Sequence, residues 1–141
     1  LMNLPYSDFE AGADDQRPLA AAGETLAPNI CYEDAYASEQ LALARDSTLL
    51  VNVTNDAWFG DSTAPHQHLD ISRMRALESG RAMLRATNDG VTALIGHDGA
   101  LLGTLPQFQP GVLTGQVQPR TGLTPYVRFG NWPMLAVFRR K

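Results

Sequence analysis

The chain contains a single cysteine, Cys31, in a sequence context that suits a nucleophile. It lies in the segment 29–33, where a predicted strand ends and a predicted helix begins. A cysteine on such a turn is held out of the sheet beside backbone N–H groups, which lower a thiol pKa and can stabilise an oxyanion. A lone cysteine is more often a small buried apolar residue. No histidine is brought beside Cys31 by the sequence, so spacing alone favours the buried cysteine.

A polar and aromatic block, Asn55-Asp56-Ala57-Trp58-Phe59-Gly60, follows a predicted buried strand. Polar side chains at the carboxyl end of a strand, followed by exposed aromatic residues, are typical of a pocket rim. The same composition suits a capped turn with two aromatic side chains packed beneath it. The residues are equally consistent with both interpretations.

Charged residues at helical spacing come next along the chain. Arg75 and Glu78 are three residues apart, as are Glu78 and Arg81, which predicts ion pairs on one helix face. Arg73 and Arg81 are expected on a solvated face. Glu78 has apolar neighbours, and we expect it to be a buried, hydrogen-bonded acid that fixes the helix to the sheet.

The composition excludes several functional classes. Eleven basic and fifteen acidic residues give a net charge of −4, which argues against a general nucleic-acid binder. One cysteine excludes an internal disulfide framework and a multi-cysteine zinc site. His66 and His68 lie on different sides of a helix with no obvious third ligand, so no metal site is predicted. The single lysine, Lys141, is the last residue, so this chain alone cannot complete chemistry that needs an interior lysine.

Hydrophobic periodicity and turn residues predict a layered α/β fold. Residues 1–23 and the residues from Pro119 onward are predicted as loops, and Gly90 is expected to cap the second helix. No apolar run near either end is long enough for a membrane span, and the start at Leu1 rather than Met suggests a fragment. The predicted strands are 24–30, 47–54, 91–95, 100–105 and 111–117, and the predicted helices are 34–45 and 65–85.

Six blocks of the chain carry a family resemblance: Ile30-Cys31-Tyr32-Glu33, Asn55-Asp56-Ala57-Trp58-Phe59-Gly60, Gln67-His68, Arg73-Met74-Arg75-Ala76-Leu77-Glu78, Arg85-Ala86-Thr87-Asn88 and 122–133. They resemble the apolipoprotein N-acyltransferases, the membrane-embedded branch of the nitrilase (carbon–nitrogen hydrolase) superfamily. The resemblance extends from about Leu4 to Pro133. The block 55–60 and the Gly-Asn-Trp-Pro block at 130–133 make it specific, because neither is a general nitrilase feature.

The resemblance implies an α-β-β-α sandwich, with residues 1–133 as the C-terminal portion of the catalytic domain and residues 134–141 as a short basic tail where the family has a final membrane helix. It implies an acyltransferase that moves an acyl chain from a phospholipid, through a cysteine thioester, to the N-terminal amine of a diacylglyceryl-cysteine lipoprotein. It implies no cofactor. The parent protein would lie in the bacterial inner membrane with its catalytic domain on the periplasmic side, and would reach the membrane through segments that this chain lacks.

By resemblance, Cys31 is the nucleophile and Glu33 supports the site. The triad of the superfamily is Glu-Lys-Cys, with Glu and Lys upstream of Cys. None of the 30 residues before Cys31 is a lysine, and neither Glu10 nor Glu24 matches the base motif, so we expect this fragment alone to be inactive. The other expected site residues are Tyr32, Asn55, Asp56, Trp58, Phe59 and His68 for substrate binding and Arg75, Glu78 and Asn88 for structure.

Two alternatives remain open. The first is a soluble nitrilase-type amidase that hydrolyses small amides, against which stand the Trp58-Phe59 pair and the block 130–133. The second is a non-catalytic remnant in which Cys31 is merely buried. Thiol labelling separates the remnant from the enzymes, because an activated cysteine reacts fast and a buried one does not.

Overall fold

The computed structural model describes residues 12–13 and 16–138. Its centre is a six-stranded sheet in which the strands follow one another in chain order. The three central strands pair in parallel, and the outer strands pair antiparallel to their neighbours. The strands are β1 (Leu19–Ala21), β2 (Glu24–Ile30), β3 (Leu49–Asn55), β4 (Met83–Asn88), β5 (Ala93–Ile95) and β6 (Leu101–Thr104).

Helices connect the parallel strands and follow the sheet. A 3-10 turn at Cys31–Ala35 and helix α1 lie between β2 and β3, and a second 3-10 turn at Ala57–Phe59 precedes the long helix α2. Parallel neighbours need such crossovers, since a tight turn cannot return the chain to the starting edge. The α-helices are α1 (Leu41–Arg45), α2 (Ala64–Ser79), α3 (Pro125–Phe129) and α4 (Trp132–Phe138).

The core lies between the helices and one face of the sheet. Alternate residues of the strands, such as Leu50 and Met83, point toward this face and are buried. On the opposite face, Ile30 is 63% exposed and Val53 47% exposed. The described residues thus form one sheet with helices on one side, as expected for a mixed α/β nitrilase-type fold. The buried apolar cluster consists of Ala27, Leu43, Leu50, Leu69, Ala76, Met83, Val91, Ala93 and Ile95.

The predicted helix 34–45 is wrong over its first half. The chain forms a 3-10 turn there instead, with Tyr36 N–H donating to the Glu33 carbonyl, and helix α1 begins only at Leu41. The reason is tertiary: Asp34 is fully buried and hydrogen-bonded to a side chain of α2, which fixes the turn against that helix.

The predicted helix 65–85 is wrong at its end. Helix α2 stops at Ser79, because Gly80 adopts a left-handed conformation (φ 65°) and its N–H caps the carbonyls of the last turn. The segment from Met83 onward is strand β4, whose apolar residues coincide with helical spacing. Gly90 therefore follows a strand and caps no helix.

The remaining differences lie near the ends of the chain. Residues 111–117 form no strand, and the predicted loop after Pro119 contains helices α3 and α4. The predicted loop 1–23 contains β1, whereas residues 1–11, 14 and 15 lie outside the described part. Residues 134–138 of the expected tail belong to α4, and residues 139–141 are not described. Within 12–13 and 16–138, every helix falls short of the length and hydropathy of a membrane span.

Candidate active site

Most of the predicted site residues lie at one edge of the sheet, whereas Arg75 and Glu78 contact each other, and Glu78 also contacts Thr124 at the start of α3. Strands β2, β3 and β4 are parallel, so their carboxyl ends point the same way, with Ile30 opposite Val53 and Asn55 opposite Asn88. Cys31 comes directly after β2, and Asp56 directly after β3. This is the edge at which open α/β sheets place their ligands.

Cys31 stands on a sharp turn between β2 and the first 3-10 turn. Its φ is +53°, in the left-handed region that a non-glycine residue occupies only when the surroundings hold it there. Its backbone carbonyl accepts a hydrogen bond from Asn52 Nδ2 at 3.0 Å and lies 3.3 Å from His68 Nε2. The thiol belongs to a half-buried residue and is free of any disulfide. The sequence did not place a histidine beside Cys31, and the fold brings His68 to its carbonyl.

Glu33 and Tyr32 complete the turn. Glu33 Oε2 accepts a hydrogen bond from the Ile30 backbone N–H at 2.6 Å, which closes the turn around Cys31. Tyr32 is 50% exposed, and its ring centroid lies 5.4 Å from that of His68. Glu33 thus holds the backbone on both sides of the cysteine, while Tyr32 faces solvent beside it.

A buried polar network lies beneath the turn. His68, on α2, has its Nδ1 2.9 Å from Asp56 Oδ1 and its Nε2 3.0 Å from Asp34 Oδ1. Ser72, one helical turn further on, donates to Asp34 Oδ2 at 2.5 Å. All four side chains are almost completely buried. Asp56 and His68, two of the residues expected to bind substrate, thus lie buried beneath the turn in contact with each other.

Arg85, on β4, joins this network to the sheet. Its guanidinium donates to Asp56 Oδ2 at 2.9 Å, to Asn52 Oδ1 at 2.6 Å and to Ser72 Oγ at 2.8 Å. Asn52 in turn donates to Asn29 Oδ1 and to the Cys31 carbonyl. A continuous chain of hydrogen bonds therefore runs from the central strands to the backbone of the candidate nucleophile.

Burial and neighbouring charges shift the pKa values of the two cationic groups. Burial by itself lowers the pKa of His68. The hydrogen bond and charge of Asp34 and the hydrogen bond of Asp56 outweigh burial and the repulsion of Arg85, so the pKa is raised above its ordinary value. Burial lowers the pKa of Arg85, against the attraction of both aspartates. Arg85 nevertheless stays charged, because an arginine pKa starts far above neutral pH.

The rim of the site is formed by the ends of β3 and β4. Asn55 Oδ1 accepts from the Ala57 backbone N–H at 3.1 Å and from Asn88 Nδ2 at 3.4 Å. Trp58 and Phe59, on the second 3-10 turn, are 70% and 40% exposed. Of the two interpretations of this block, exposed aromatic side chains at a pocket rim fit the exposure of Trp58 and Phe59. Two aromatic side chains packed beneath a capped turn do not.

Gly90 is required for the packing of Asp56 rather than for a helix end. A Cβ added to Gly90 would lie 2.8 Å from Asp56 Cβ and 2.9 Å from Asp56 Cγ, and would also contact Asp56 Oδ2. Real Cβ atoms do not approach so closely. The absence of a side chain at this position lets the Asp56 carboxylate reach His68 and Arg85.

The charged residues from Arg75 to Arg81 lie in two kinds of environment, with Arg75 and Glu78 on α2 and Arg81 just after its end. Arg75 and Glu78 form the predicted ion pair at 3.0 Å, and burial raises the pKa of Glu78 despite the charge of Arg75. Glu78 is half-buried, and its backbone carbonyl accepts from Thr124 Oγ1 at the start of α3. The prediction of a solvated Arg81 is wrong: this side chain is buried and donates to backbone carbonyls, including that of Ser47 at 2.8 Å.

Sequence reasoning missed four members of the buried network: Asp34, Asn52, Ser72 and Arg85. Asp34 and Ser72 fall within predicted helices, where the spacing gives them no particular partner, and Arg85 belongs to a block of the family resemblance that implies no role for it. A signal for Asn52 and Arg85 was available, since each is a polar residue in a strand where the flanking residues are apolar. Such residues need buried partners. Across 12–13 and 16–138, no group of three or more acidic, histidine or cysteine side chains is arranged to hold a metal ion.

The chain belongs to the carbon–nitrogen hydrolase family, whose model matches residues 9–126. Among individual proteins, it is about half identical to apolipoprotein N-acyltransferases. It is 51% identical over 137 residues to the apolipoprotein N-acyltransferase of Methylococcus capsulatus, covering 97% of this chain and 27% of that protein. It is 54% identical over 139 residues to the apolipoprotein N-acyltransferase of Ralstonia nicotianae, covering 96% and 27%. The resemblance found in the sequence is confirmed, and the chain spans about a quarter of the length of these curated relatives.

The fold also matches solved structures of the nitrilase superfamily. A mutant amidase of this superfamily from Nesterenkonia AN1 superposes with a TM-score of 0.55 and 26% identity, covering 69% of this chain and 40% of that chain. Another structure of the amidase, with a TM-score of 0.53 and 25% identity over the same shares of both chains, carries the acetamide moiety of fluoroacetamide covalently on its active-site cysteine.

Proposed function

We propose that this chain is the nucleophile-bearing part of an apolipoprotein N-acyltransferase and that Cys31 carries the acyl group. The observation that supports this most strongly is the fixed, left-handed turn at Cys31, at the ligand-binding edge of the sheet, in a chain about half identical to enzymes of that name. The Nesterenkonia amidase adds support, since its active-site cysteine forms a covalent adduct and this chain has one cysteine.

The proposed chemistry has two steps. The Cys31 thiol first gives its proton to a base, the acid of the superfamily triad. The thiolate then attacks the ester carbonyl of a phospholipid, so that a C–S bond forms, the C–O bond breaks, and the same acid returns the proton to the oxygen of the leaving lysophospholipid. The neutral amine of a diacylglyceryl-cysteine lipoprotein then attacks the thioester, so that a C–N bond forms and the C–S bond breaks. The amine gives one proton to the same base, and the thiolate is regenerated. Cysteine suits both steps because a thiolate is a strong nucleophile and a good leaving group.

Other residues of the edge have supporting roles in this proposal. Glu33 holds the turn through the Ile30 N–H. The exposed rings of Tyr32, Trp58 and Phe59 provide an apolar surface for an acyl chain, and the Asn55–Asn88 pair fixes the rim. The acid and the lysine of the superfamily triad would come from parts of the protein outside this chain, and so would its anchorage in the bacterial membrane.

The test uses the intact protein with phospholipid as acyl donor. We expect a mass increase of one acyl chain on the peptide that contains Cys31, its loss with hydroxylamine, and its transfer to a diacylglyceryl lipopeptide with a free amine. Cys31→Ser is the matched control and should retain the fold but form no adduct, because a hydroxyl is barely ionised at neutral pH.

Two results would redirect the assignment. Hydrolysis of small amides without transfer to the lipopeptide would identify the chain as part of a nitrilase-type amidase, the function of the Nesterenkonia protein. A wild-type protein in which Cys31 neither forms an adduct nor reacts with a thiol reagent would identify a non-catalytic remnant.

A further inference from the structure

His68 has hydrogen-bond acceptors at both ring nitrogens. Nδ1 faces Asp56 Oδ1 at 2.9 Å, and Nε2 faces Asp34 Oδ1 at 3.0 Å and the Cys31 carbonyl at 3.3 Å. Carboxylate and carbonyl oxygens only accept, and a neutral imidazole has one N–H. A neutral ring would therefore leave one nitrogen lone pair directed at a buried oxygen, whereas a doubly protonated ring satisfies every one of these contacts.

The buried charges lead to the same protonation state. The groups that face His68 are Asp34 and the residues Cys31 and Tyr32 from the first 3-10 turn, Asp56 from the end of β3, and Arg85 from β4, whose guanidinium lies 3.6 Å from Asp34 and 2.9 Å from Asp56. Two carboxylates and one guanidinium leave one negative charge uncompensated. A charged His68 brings the net charge of the cluster to zero, which stabilises the fold because an unpaired buried charge is strongly unfavourable.

We propose that His68 is a positioning residue held as a permanent imidazolium between Asp34 and Asp56, and that its charge keeps the cluster under Cys31 neutral while its Nε2–H holds the Cys31 carbonyl. The positive charge has a consequence for the nucleophile. Without it, the cluster would present a net negative charge to the backbone of the cysteine, and a like charge nearby disfavours a thiolate. The ring itself stays out of contact with substrate because it is buried.

This role deepens the proposed function and rests on it for the importance of Cys31. Both measurements below are made without acyl donor or acceptor, so they succeed or fail independently of acyl transfer.

The first measurement is nitrogen NMR of the intact protein labelled with ¹⁵N-histidine, between pH 6 and 9. Both ring nitrogens of His68 should carry a proton and show imidazolium shifts throughout. The His68 signals are assigned by their loss in His68→Gln, or by coupling to a ¹³C-labelled Cys31 carbonyl if that variant does not fold. An unprotonated ring nitrogen at pH 7 would overturn the proposal.

The second measurement is the rate of Cys31 alkylation by iodoacetamide at pH 7, read by mass spectrometry. His68→Gln should slow alkylation by roughly three- to tenfold, because it leaves one net negative charge below the thiol. Adding Asp34→Asn restores neutrality and should recover most of the lost rate. A double variant as slow as His68→Gln would show that the charge is irrelevant, and unchanged alkylation in His68→Gln would contradict the proposal outright.

Discussion

Replacement of Arg85 by methionine removes a cation that is bound to three buried side chains. Arg85 is 2% exposed, and its guanidinium donates hydrogen bonds to Asp56, Asn52 and Ser72 at 2.6–2.9 Å. Methionine fills much of the same volume but supplies no donor and no charge. The variant thus leaves Asp34 and Asp56 buried with His68 as their remaining charged partner.

The expected cost follows from this burial. Removing one partner of a buried ion pair typically costs about 3–5 kcal/mol, since the other partner stays desolvated and unpaired. A domain is stable by about 5–15 kcal/mol in total. For a domain of about 150–250 residues, about 1 kcal/mol corresponds to about 2–4 °C in Tm, so Arg85→Met should lower the Tm of the intact protein by roughly 6–20 °C.

The matched control is Arg73→Met. Arg73 also forms an ion pair with an aspartate, Asp70, at 2.9 Å, but the two side chains are 42% and 65% exposed. Exposed pairs contribute about 0–1 kcal/mol, so this variant should shift Tm by no more than a few degrees. Both variants are compared with wild type in the intact protein by differential scanning fluorimetry. Equal shifts for the two variants would refute the view that Arg85 anchors a buried charge network.

Two further variants test other contacts. Gly90→Ala should destabilise the protein by about 1–3 kcal/mol because its methyl group would displace Asp56, whereas Gly103→Ala, whose methyl group would meet the nearest side-chain atom at 3.4 Å, should be close to neutral in thermal unfolding. Burial raises the pKa of Glu78 in the folded protein, so folding favours the protonated carboxyl. The resulting stabilisation is fully present below the unfolded pKa of about 4.3 and is lost as pH rises through the folded pKa. The Tm of wild type relative to Glu78→Gln should therefore fall over that interval, and a difference that grows with pH would contradict this assignment.

The residue pattern of the sequence correctly predicts one strand, one ion pair and one hairpin. Strand β2 occupies Glu24–Ile30, as the sequence predicts, and the Arg75–Glu78 pair forms because i,i+3 spacing on a helix leaves little freedom. The hairpin of β5 and β6 also follows from its turn residues. In the ion pair and the hairpin the interacting residues are close in the sequence.

The buried network could not be predicted in this way. Ser72 and Asp34 are 38 residues apart, and Arg85 and Asp56 are 29 residues apart. Their contacts exist because three parallel strands and a crossover helix bring distant segments together. The same tertiary contacts explain why the first helix begins later than predicted. Burial of Asp34 fixes residues Cys31–Ala35 in a 3-10 turn, and the helix begins at Leu41.

The end of α2 was predicted wrongly for a different reason. The apolar residues of β4 continue the helical spacing of α2 by coincidence, so periodicity alone could not separate the two elements. Gly80 carried the missing signal, because a glycine in the left-handed conformation ends a helix. Gly90, by contrast, follows a strand, and its lack of a side chain is required by the close approach of Asp56.

At Cys31 the residue that would be best for stability differs from the residue that the proposed activity requires. A left-handed φ of +53° suits glycine far better than cysteine, so the backbone alone would favour Cys31→Gly, by something on the order of 1 kcal/mol. That substitution would relax the fold and remove the sulfur on which the proposed reaction depends. If Cys31 is the acyl carrier, the reaction requires at this position a residue that the backbone conformation does not favour. Stability-directed engineering of the protein would then have to leave Cys31 unchanged.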